Sequence, residues 1–394
     1  MWLGRFQVIA TSDENISFRD RLNPNGRVLP VADFARLPEA ELQREYLRRG
    51  FMSAALPVAS AVLTGAPRHV DDAFFWQFPC RTEAAAFALH AALAEAPFDG
   101  RAVHVYLGLP WATWIDRQRV DPERRQTRRE IAMQRVRLAG FRHALREVGV
   151  DLRVHTVCQH VYWRELLGTW RELGVSDAWL SHAPAAGDVG AAIGDLVLHP
   201  WRLFAVNVED PHRRAGLRIG VDPADKPLLA SFIGTHAPHY LSDVRLRLKG
   251  FAAEPGFHIE LTERWHFEDV VYRHQVYLDP LEASYRVDQT VDHYNRVLSD
   301  SVFSLCPAGA GANTLRLWES LAVGSVPVLL GPLPMMPRGG SLPPIDWDEI
   351  VLRIADHQVA ELPLLLRSMP IDEVRRRQRL GLQAFAQVQE QSCF

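Results

Sequence analysis

The stretch from Val302 to Leu330 constrains the fold of this chain more than any other part of it. It reads VFSLCPAGAGANTLRLWESLAVGSVPVLL, in which two apolar runs flank a glycine-containing loop and a segment with helical periodicity. The runs VFSLC and VPVLL are typical of parallel strands that are buried on both faces. Between them, Asn313 is a suitable N-cap residue and Gly324 stands where a C-cap glycine belongs. The stretch therefore predicts a βαβ unit.

The loop of this unit has the features of an anion site. Gly309 and Gly311 lack a Cβ, so the backbone there can approach a ligand closely and present amide N–H groups to it. The predicted helix start, at Asn313 and Thr314, adds free N–H donors and the positive end of the helix dipole. We therefore expect these four residues to contact a diphosphate.

Two charged residues follow within the predicted helix. Arg316 lies in the first turn, where it would contact phosphate oxygens, and Glu319 lies one turn on, where it would accept hydrogen bonds from ribose hydroxyls. The alternative interpretation is an i,i+3 ion pair on the helix surface. A glycine loop before a helix is also common in α/β proteins without a nucleotide, so the stretch alone leaves both interpretations open.

Composition places the chain among ordinary globular proteins. Its 394 residues predict two or three domains, and the net charge of −3 gives no global field that would attract nucleic acid or an anionic membrane. The four cysteines are far apart and form no C-x-x-C pair, which disfavours a disulfide framework or a zinc site. No long apolar run or signal-peptide pattern is present. These observations predict a cytoplasmic enzyme without a transmembrane segment, and they leave peripheral membrane contact open.

Strands and helices alternate along the chain, which predicts a doubly wound parallel sheet with ligand loops at the carboxyl ends of its strands. The predicted strands include Arg101–Leu107, Asp151–Val157, Leu203–Val208 and Leu228–Gly234, and the predicted helices include Thr82–Ala96, Arg129–Glu147 and Ile371–Val388. We place Gly108–Asp116 in a loop. A polar segment before Leu228 suggests two α/β domains, at 1–221 and 222–370, which face each other across a cleft, with the C-terminal helical segment 371–394 packing on the first.

The second half of the chain resembles the exostosin family of glycosyltransferases. The family pattern is a Tyr-containing helix, then Ser-x-Phe-x-Leu-Cys-Pro-x-Gly, Arg-Leu, an acidic residue, and a Gly-x-x-Pro-Val strand. The residues that fit it in order are Tyr294, Ser301, Phe303, Leu305, Cys306, Pro307, Gly309, Arg316, Leu317, Glu319, Gly324, Pro327 and Val328. Further on, Ile345–Trp347 is similar to the family's Ile-Asp-Trp.

The first half carries shorter similarities. VYLGLPWATWID is similar to the family's strand and aromatic loop, with Asp116 at its end, and GVSDAWLSHA is similar to a family segment in which Asp177 and His182 match. LLASFIG resembles the apolar strand that ends in a glycine, here Gly234. The chain departs from the pattern at Ser325, which replaces a cysteine, at Ala178, which replaces a histidine, and at Trp318, which replaces a phenylalanine.

The resemblance implies a GT-B fold, with two Rossmann-like domains and a nucleotide-diphosphate sugar, UDP- or GDP-linked, bound in the C-terminal domain. It implies transfer with inversion to a hydroxyl of a glycan acceptor held by the N-terminal domain. The departing diphosphate needs fixed positive charge, which Arg316 and either Arg245 or Arg247 can supply without a metal or other cofactor.

The acceptor hydroxyl must lose its proton, so a general base is required. Asp116 is the first candidate, with His182 and His104 as alternatives. Asp116 could instead cap a helix, and His182 could simply end a strand. The pair Asp346 and Asp348 spells an Asp-x-Asp, but we interpret it as a turn rather than a metal site.

Two other functions remain open from the sequence. One is a catalytically inactive carbohydrate-binding protein of the same fold, against which the intact pair of Arg316 and Glu319 speaks. The other is a glycosyltransferase that acts on nucleic acid, suggested by clusters of arginine and disfavoured by the acidic net charge.

Overall fold

The structure is a computed structural model, and it describes residues 5–6, 76–77, 80–92, 96–97, 99, 101–120, 125–146, 149–183, 193–264, 289–339 and 344–394. In chain order the elements are β1 (Arg5–Phe6), α1 (Thr82–Ala91), β2 (Ala96–Pro97), β3 (Ala102–Tyr106), α2 (Trp111–Val120), α3 (Arg125–Arg146), β4 (Asp151–Cys158), α4 (Leu167–Leu173), β5 (Asp177–Leu180), β6 (Val197–Pro200), α5 (Val206–Glu209), β7 (Leu228–Thr235), α6 (Val244–Leu248), β8 (Phe257–Thr262), α7 (Gln289–Ser299), β9 (Ser301–Pro307), α8 (Leu315–Val323), β10 (Val326–Leu330), β11 (Leu352–Ile354), α9 (Leu362–Arg367) and α10 (Ile371–Gln389).

The first half of the chain forms a sheet of four parallel strands in the order β3-β4-β5-β6. Its strands are rich in valine and leucine, and helices α2, α3 and α4 contribute to one core with them. Trp111, Trp163 and Trp170 are fully buried in this core. The strands are covered by apolar helix faces, which accounts for their nearly continuous hydrophobic sequence.

The second half forms a sheet of five parallel strands in the order β8-β7-β9-β10-β11. Numbered along this half, the order is 2-1-3-4-5, so the chain runs one way from β7 to β8 and the other way from β9 onward. In such a sheet the ligand crevice lies outside the carboxyl ends of the two strands at the reversal. Here those strands are β7 and β9, and β9 leads into the glycine loop.

The two sheets meet at their carboxyl ends. The loop after β5 contacts the loop after β9, since Asn313 Nδ2 donates to the Ser181 carbonyl at 2.7 Å. The Met335 amide also donates to the Ala183 carbonyl at 3.0 Å. The prediction of two parallel α/β sheets, as in a GT-B fold, is confirmed.

The last helix and the end of the chain contact both halves. Helix α10 packs along α8 of the second sheet, and Phe385 and Val388 lie in the same core as Trp318. Beyond the helix, the Cys393 amide donates to Nε2 of His90, on α1, at 3.1 Å. Leu203 and Ala205 also pack into this second core, which therefore includes residues that precede β7.

Two local predictions are wrong, and one strand was missed. Gly108–Asp116 is not a loop throughout, because α2 begins at Trp111. Leu203–Val208 is not a strand: its amides are bound by side chains, with Phe204 N donating to Thr82 Oγ1 and Ala205 N to Glu209 Oε1. The strand β6 was not predicted. The sequence FQVIATS, between Arg5 and Ser12, also favours a strand, but apart from β1 it lies outside the described residues.

Candidate active site where the two sheets meet

The glycine loop is fixed to the end of β7 by one arginine. Arg245, on α6, donates three hydrogen bonds to backbone carbonyls, to Thr235 at 2.7 Å and to Pro307 and Ala308 at 3.1 Å. It thereby joins the carboxyl ends of β7 and β9, the two strands at the reversal of the sheet. Burial lowers the pKa of its guanidinium to about 10. A Cβ at Gly309 would lie 3.1 Å from Arg245 Nη2, so the loop backbone follows the guanidinium closely.

Arg316 lies beside Arg245 and is almost fully buried. Its guanidinium donates to the Ile233 carbonyl and stacks between the rings of Phe232 and Tyr294, with its central carbon 5.1 and 4.7 Å from the ring centroids. Within the described part of the chain, neither Arg245 nor Arg316 has a carboxylate within ion-pair distance. Buried cations are normally paired, so this pair of guanidinium groups favours an anionic ligand.

Glu319 is buried on the same helix but does not pair with Arg316. Its Oε1 accepts from the Asn207 amide at 3.0 Å and its Oε2 from the Tyr294 hydroxyl at 2.6 Å. The alternative interpretation of a surface ion pair is therefore wrong, since both side chains are buried and bind other groups. The role of Glu319 at a ribose stays a prediction; in this structure it anchors α5 and α7 to α8.

The start of α8 differs by one residue from the prediction. Thr314 is the N-cap by backbone conformation, not Asn313. The Asn313 Oδ1 accepts from the Thr314 amide and from Trp318 Nε1, both at 2.9 Å, while its Nδ2 donates to Ser181 of the other half. Asn313 therefore joins the two halves, and its proposed contact with a diphosphate would involve its backbone.

His182 lies directly against the glycine loop from the other half. A Cβ on Gly311 would overlap His182 Nδ1 and would come 2.8 Å from Val161 Cγ1. The His182 Nδ1 is buried and has no hydrogen-bond partner in the structure. Burial, followed by the nearby His160, lowers the pKa of His182 to about 3. The imidazole is therefore neutral at physiological pH, and its Nδ1 is a buried nitrogen without a hydrogen-bond partner among the described residues.

Asp116 is held in a buried hydrogen-bond network rather than on a loop. It lies on α2, where its Oδ2 accepts from Gln77 Nε2 at 2.5 Å and its Oδ1 contacts His160 Nε2 at 3.0 Å. The Tyr162 amide donates to His160 Nδ1 at 3.1 Å, so His160 must carry its proton on Nε2 and donate to Asp116. Both oxygens of Asp116 are thus already bound.

Glu83 and His160 were not among the predicted site residues. Both oxygens of Glu83 accept from the Ala112 amide at 3.2 Å, and one accepts from Gln159 N at 3.0 Å, so Glu83 caps the start of α2. Burial raises the pKa of Glu83 to about 8.

Asp116, His160 and His182 each follow one of the neighbouring strands β3, β4 and β5. That strand-end position is the sequence signal that would have identified His160.

The remaining candidates lie elsewhere. His104 has both ring nitrogens engaged, by His155 Nε2 at 2.9 Å and Asp99 Oδ2 at 3.1 Å. Arg247 donates to the Asp356 carbonyl at 2.7 Å, which leaves Arg245 as the arginine at the strand ends. Asp346 accepts from the Asp348 amide at 3.1 Å, as the turn interpretation expects.

The close approach of Gly311 and His182 gives a testable prediction. We expect Gly311→Ala to lower the free energy of unfolding by about 1–3 kcal/mol, because the added methyl group overlaps the imidazole in a packed interface. The measurement is urea unfolding. The control is Gly140→Ala on α3, where a Cβ meets nothing within 4 Å and where alanine favours the helix by about 1 kcal/mol. Equal stability of the two variants would contradict the contact.

No helix in the described part of the chain is long and apolar enough to span a membrane. The cysteines Cys80, Cys158, Cys306 and Cys393 are free thiols, as predicted. The predicted placement of the enzyme in the cytoplasm is not tested by these observations.

Known proteins are similar to parts of this chain. Residues 205–369 match the family model described as the Exostosin GT47 domain. A probable glucuronosyltransferase of Oryza sativa subsp. japonica is 34% identical over 96 residues, which are 24% of this chain and 22% of that protein. A probable beta-1,4-xylosyltransferase of Arabidopsis thaliana is 32% identical over 96 residues, 24% of this chain and 23% of that protein. The chain thus spans less than a quarter of the length of these relatives.

Two solved structures show a distant similarity to this chain. The match to the crystal structure of the GtfA/B complex covers 66% of this chain and 58% of the matched chain, with 10% identity and a TM-score of 0.35. The match to the crystal structure of an alpha,alpha-trehalose 6-phosphate synthase from Burkholderia multivorans covers 75% of this chain and 85% of the matched chain, with 14% identity and a TM-score of 0.35. The family match falls on the half that holds Arg245, Arg316 and the glycine loop, so this part of the chain is similar to the exostosin family.

Proposed function

We propose that this chain is an inverting glycosyltransferase that moves a sugar from a nucleotide-diphosphate donor to a hydroxyl of a glycan acceptor. The observation that carries the proposal is a pair of guanidinium groups, those of the buried Arg316 and the partly buried Arg245, which lack an acidic partner among the described residues. They lie at the reversal point of a parallel sheet, where such folds bind nucleotides. The family match and the named activities of the relatives support the same reaction class.

In this reaction the bond between the anomeric carbon and the diphosphate oxygen breaks as the acceptor oxygen attacks from the opposite face. The leaving diphosphate gains negative charge. Arg245, Arg316, the amides of the glycine loop and the N-terminus of α8 stabilise that charge. In other phosphate sites a divalent metal ion stabilises this negative charge. Here two fixed cations and a helix terminus would do so, and we therefore expect the chemical step to proceed without a metal ion.

The acceptor hydroxyl must lose its proton to a general base, and we assign the role of this base to His182. Its Nδ1 is neutral, unpartnered and directly against Gly311, whereas both oxygens of Asp116 are bound by other side chains. Asp116 would then orient His160, and the acceptor would bind on the first half of the chain.

We place the nucleoside near Glu319 and Gly234, with Gly309, Gly311, Asn313 and Thr314 around the diphosphate. A cytoplasmic location and the absence of a nucleic-acid partner belong to this proposal.

Binding of a nucleoside diphosphate tests the donor site. With EDTA present throughout, we expect UDP or GDP at about 100 times its dissociation constant to stabilise the protein by about 2.7 kcal/mol, because only the folded state has the site. Thermal unfolding measures this. The matched ligands are uridine and guanosine, which lack the diphosphate and should shift the transition far less. The absence of a shift with either diphosphate, or an equal shift with the nucleoside, would contradict the proposal.

Chemistry must be separated from binding alone. A catalytically inactive binding protein would also be stabilised by a diphosphate, but it would not cleave a donor sugar. Slow hydrolysis of a nucleotide sugar by the wild-type chain, absent in Arg316→Ala, would distinguish an enzyme from such a protein.

A further inference from the structure

A cluster of three metal-ligating side chains lies on the second sheet, away from the glycine loop. His258 and Glu260 are two residues apart on β8, so their side chains share one face of that strand. His293 reaches them from α7. One ligand atom from each of the three residues lies within 4.8 Å of the other two.

The three side chains converge on a single carboxylate oxygen. His258 Nε2 lies 2.5 Å from Glu260 Oε1, and His293 Nε2 lies 2.8 Å from the same atom. The two imidazole rings meet edge to face with centroids 5.6 Å apart. The Glu260 oxygen therefore lies between two imidazole nitrogens.

Small movements of these side chains would admit an ion. Zinc binds imidazole nitrogen and carboxylate oxygen at about 2.0–2.2 Å, so neighbouring ligand atoms of a tetrahedral site lie about 3.3 Å apart. The separations of the two imidazole nitrogens from Glu260 Oε1, 2.5 and 2.8 Å, are within about 1 Å of that value. The exposed fractions of the side chains, 30% for His258, 39% for Glu260 and 52% for His293, leave the outer side open to water as a fourth ligand.

We propose that His258, Glu260 and His293 form a binding site for a divalent transition metal, with zinc as the best match. Two imidazoles and one carboxylate suit zinc and its neighbours in the first transition series, whereas magnesium and calcium prefer sites made of oxygen alone. This site is separate from the sugar-transfer step, for which the two arginines supply the charge.

The site would fasten β8, an edge strand, to α7. The next residue on α7 is Tyr294, whose hydroxyl binds Glu319 and whose ring stacks on Arg316. On β8, Glu260 pairs in register with Ile233, whose carbonyl accepts from Arg316. A bound ion would therefore hold the two elements that flank the buried arginine, and its expected effect is on stability and donor affinity.

Zinc titration of EDTA-treated, desalted protein tests the site. By competition with a chromophoric chelator we expect one tight zinc equivalent and a rise in the thermal midpoint, and no such rise with the same concentration of magnesium. His293→Ala and Glu260→Gln should each weaken zinc binding by at least about 100-fold, since even outer-shell changes at zinc sites cost 10- to 100-fold. Both residues are partly exposed, so the variants should fold, which circular dichroism checks.

The matched control is His357→Ala, which removes an exposed histidine next to the opposite edge strand β11. It should bind zinc as the wild type does. Zinc binding that is equally weak in the wild type and in His293→Ala would overturn the proposal, because the three side chains would then form only a hydrogen-bonded cluster. So would an equal loss in His357→Ala, which would indicate scattered surface binding. The diphosphate shift described above is measured in EDTA, so either proposal can fail while the other holds.

Discussion

Arg316→Ala is expected to lower the rate of sugar transfer by at least about 10²- to 10³-fold, the cost of removing one fixed group that stabilises charge in a transition state. Arg316 is buried, stacks on two aromatic rings and has no carboxylate partner among the described residues, which is why we propose that its positive charge binds the diphosphate. The loss should fall mainly on kcat, because the charge on the diphosphate grows as the bond to the sugar breaks. Steady-state kinetics with a nucleotide sugar and acceptor measure it.

Two further variants make this result interpretable. Arg316→Lys keeps the charge but loses the planar fork that holds the Ile233 carbonyl, so we expect partial activity. Arg247→Ala removes an arginine from the same helix as Arg245, but one that is exposed and bound to the Asp356 carbonyl. It should leave the rate within about two-fold, since its charge lies outside the strand ends and exposed charges act weakly. Full activity in a folded Arg316→Ala would exclude the proposed donor site.

The βαβ unit was predictable because its signals are local. Two apolar runs give β9 and β10, and Gly324 ends α8 in the left-handed conformation, with a φ of 78°. Arg316 and the glycine loop belong to the same short stretch, so one motif brings them together. The reversal between β7 and β9 was not predictable from the stretch, because it depends on which strands pair over a long separation.

The errors come from tertiary contacts that override local preference. LFAVNV is mostly apolar, as a buried strand would be, yet its amides are bound by the neighbouring Glu209 and by Thr82 and Glu319, side chains from two other parts of the fold. Asp116 looked like a loop residue because Pro110 precedes the aromatic segment. Proline is also favoured beside the first turn of a helix, and Glu83 caps that turn from α1. The contacts that Thr82, Glu319 and Glu83 make with these two segments cannot be recognised in the local sequence.

One departure from the family pattern has a structural reason. The hydroxyl of Ser325, in place of a cysteine, lies within donating distance of the Leu298 and Ser301 carbonyls, which share its one proton, and accepts from the buried Lys226 Nζ at 3.1 Å. Lys226 also donates to the Ser301 and Gly324 carbonyls, and burial lowers its pKa to about 8. A hydroxyl accepts this hydrogen bond better than a thiol does. Serine at this position therefore binds the buried lysine better than the cysteine of the family pattern would.

His182→Ala is expected to lower kcat by about 10²- to 10⁴-fold, the usual contribution of a general base. The affinity for UDP or GDP should remain within a few-fold of the wild type, because the diphosphate contacts lie on the other half of the chain. Asp116→Asn is the informative partner, since it keeps the shape of the side chain and removes its charge. If His182 is the base, Asp116→Asn should cost much less than His182→Ala; the reverse order would assign the base to Asp116.

The pH dependence gives an independent readout of the same residue. Burial disfavours the charged imidazole, so the pKa of His182 is about 3 in the folded chain, against about 6.5 in the unfolded one. As pH falls below 6.5 the unfolded state takes up the proton first, so this histidine reduces stability progressively between pH 6.5 and 3, by at most about 1.4 kcal/mol per pH unit. His182→Ala should therefore lose less stability than the wild type between pH 7 and pH 5 in urea unfolding. An equal loss in both would mean that the His182 imidazole is solvated, and a solvated imidazole would not sit against Gly311 as the proposed base.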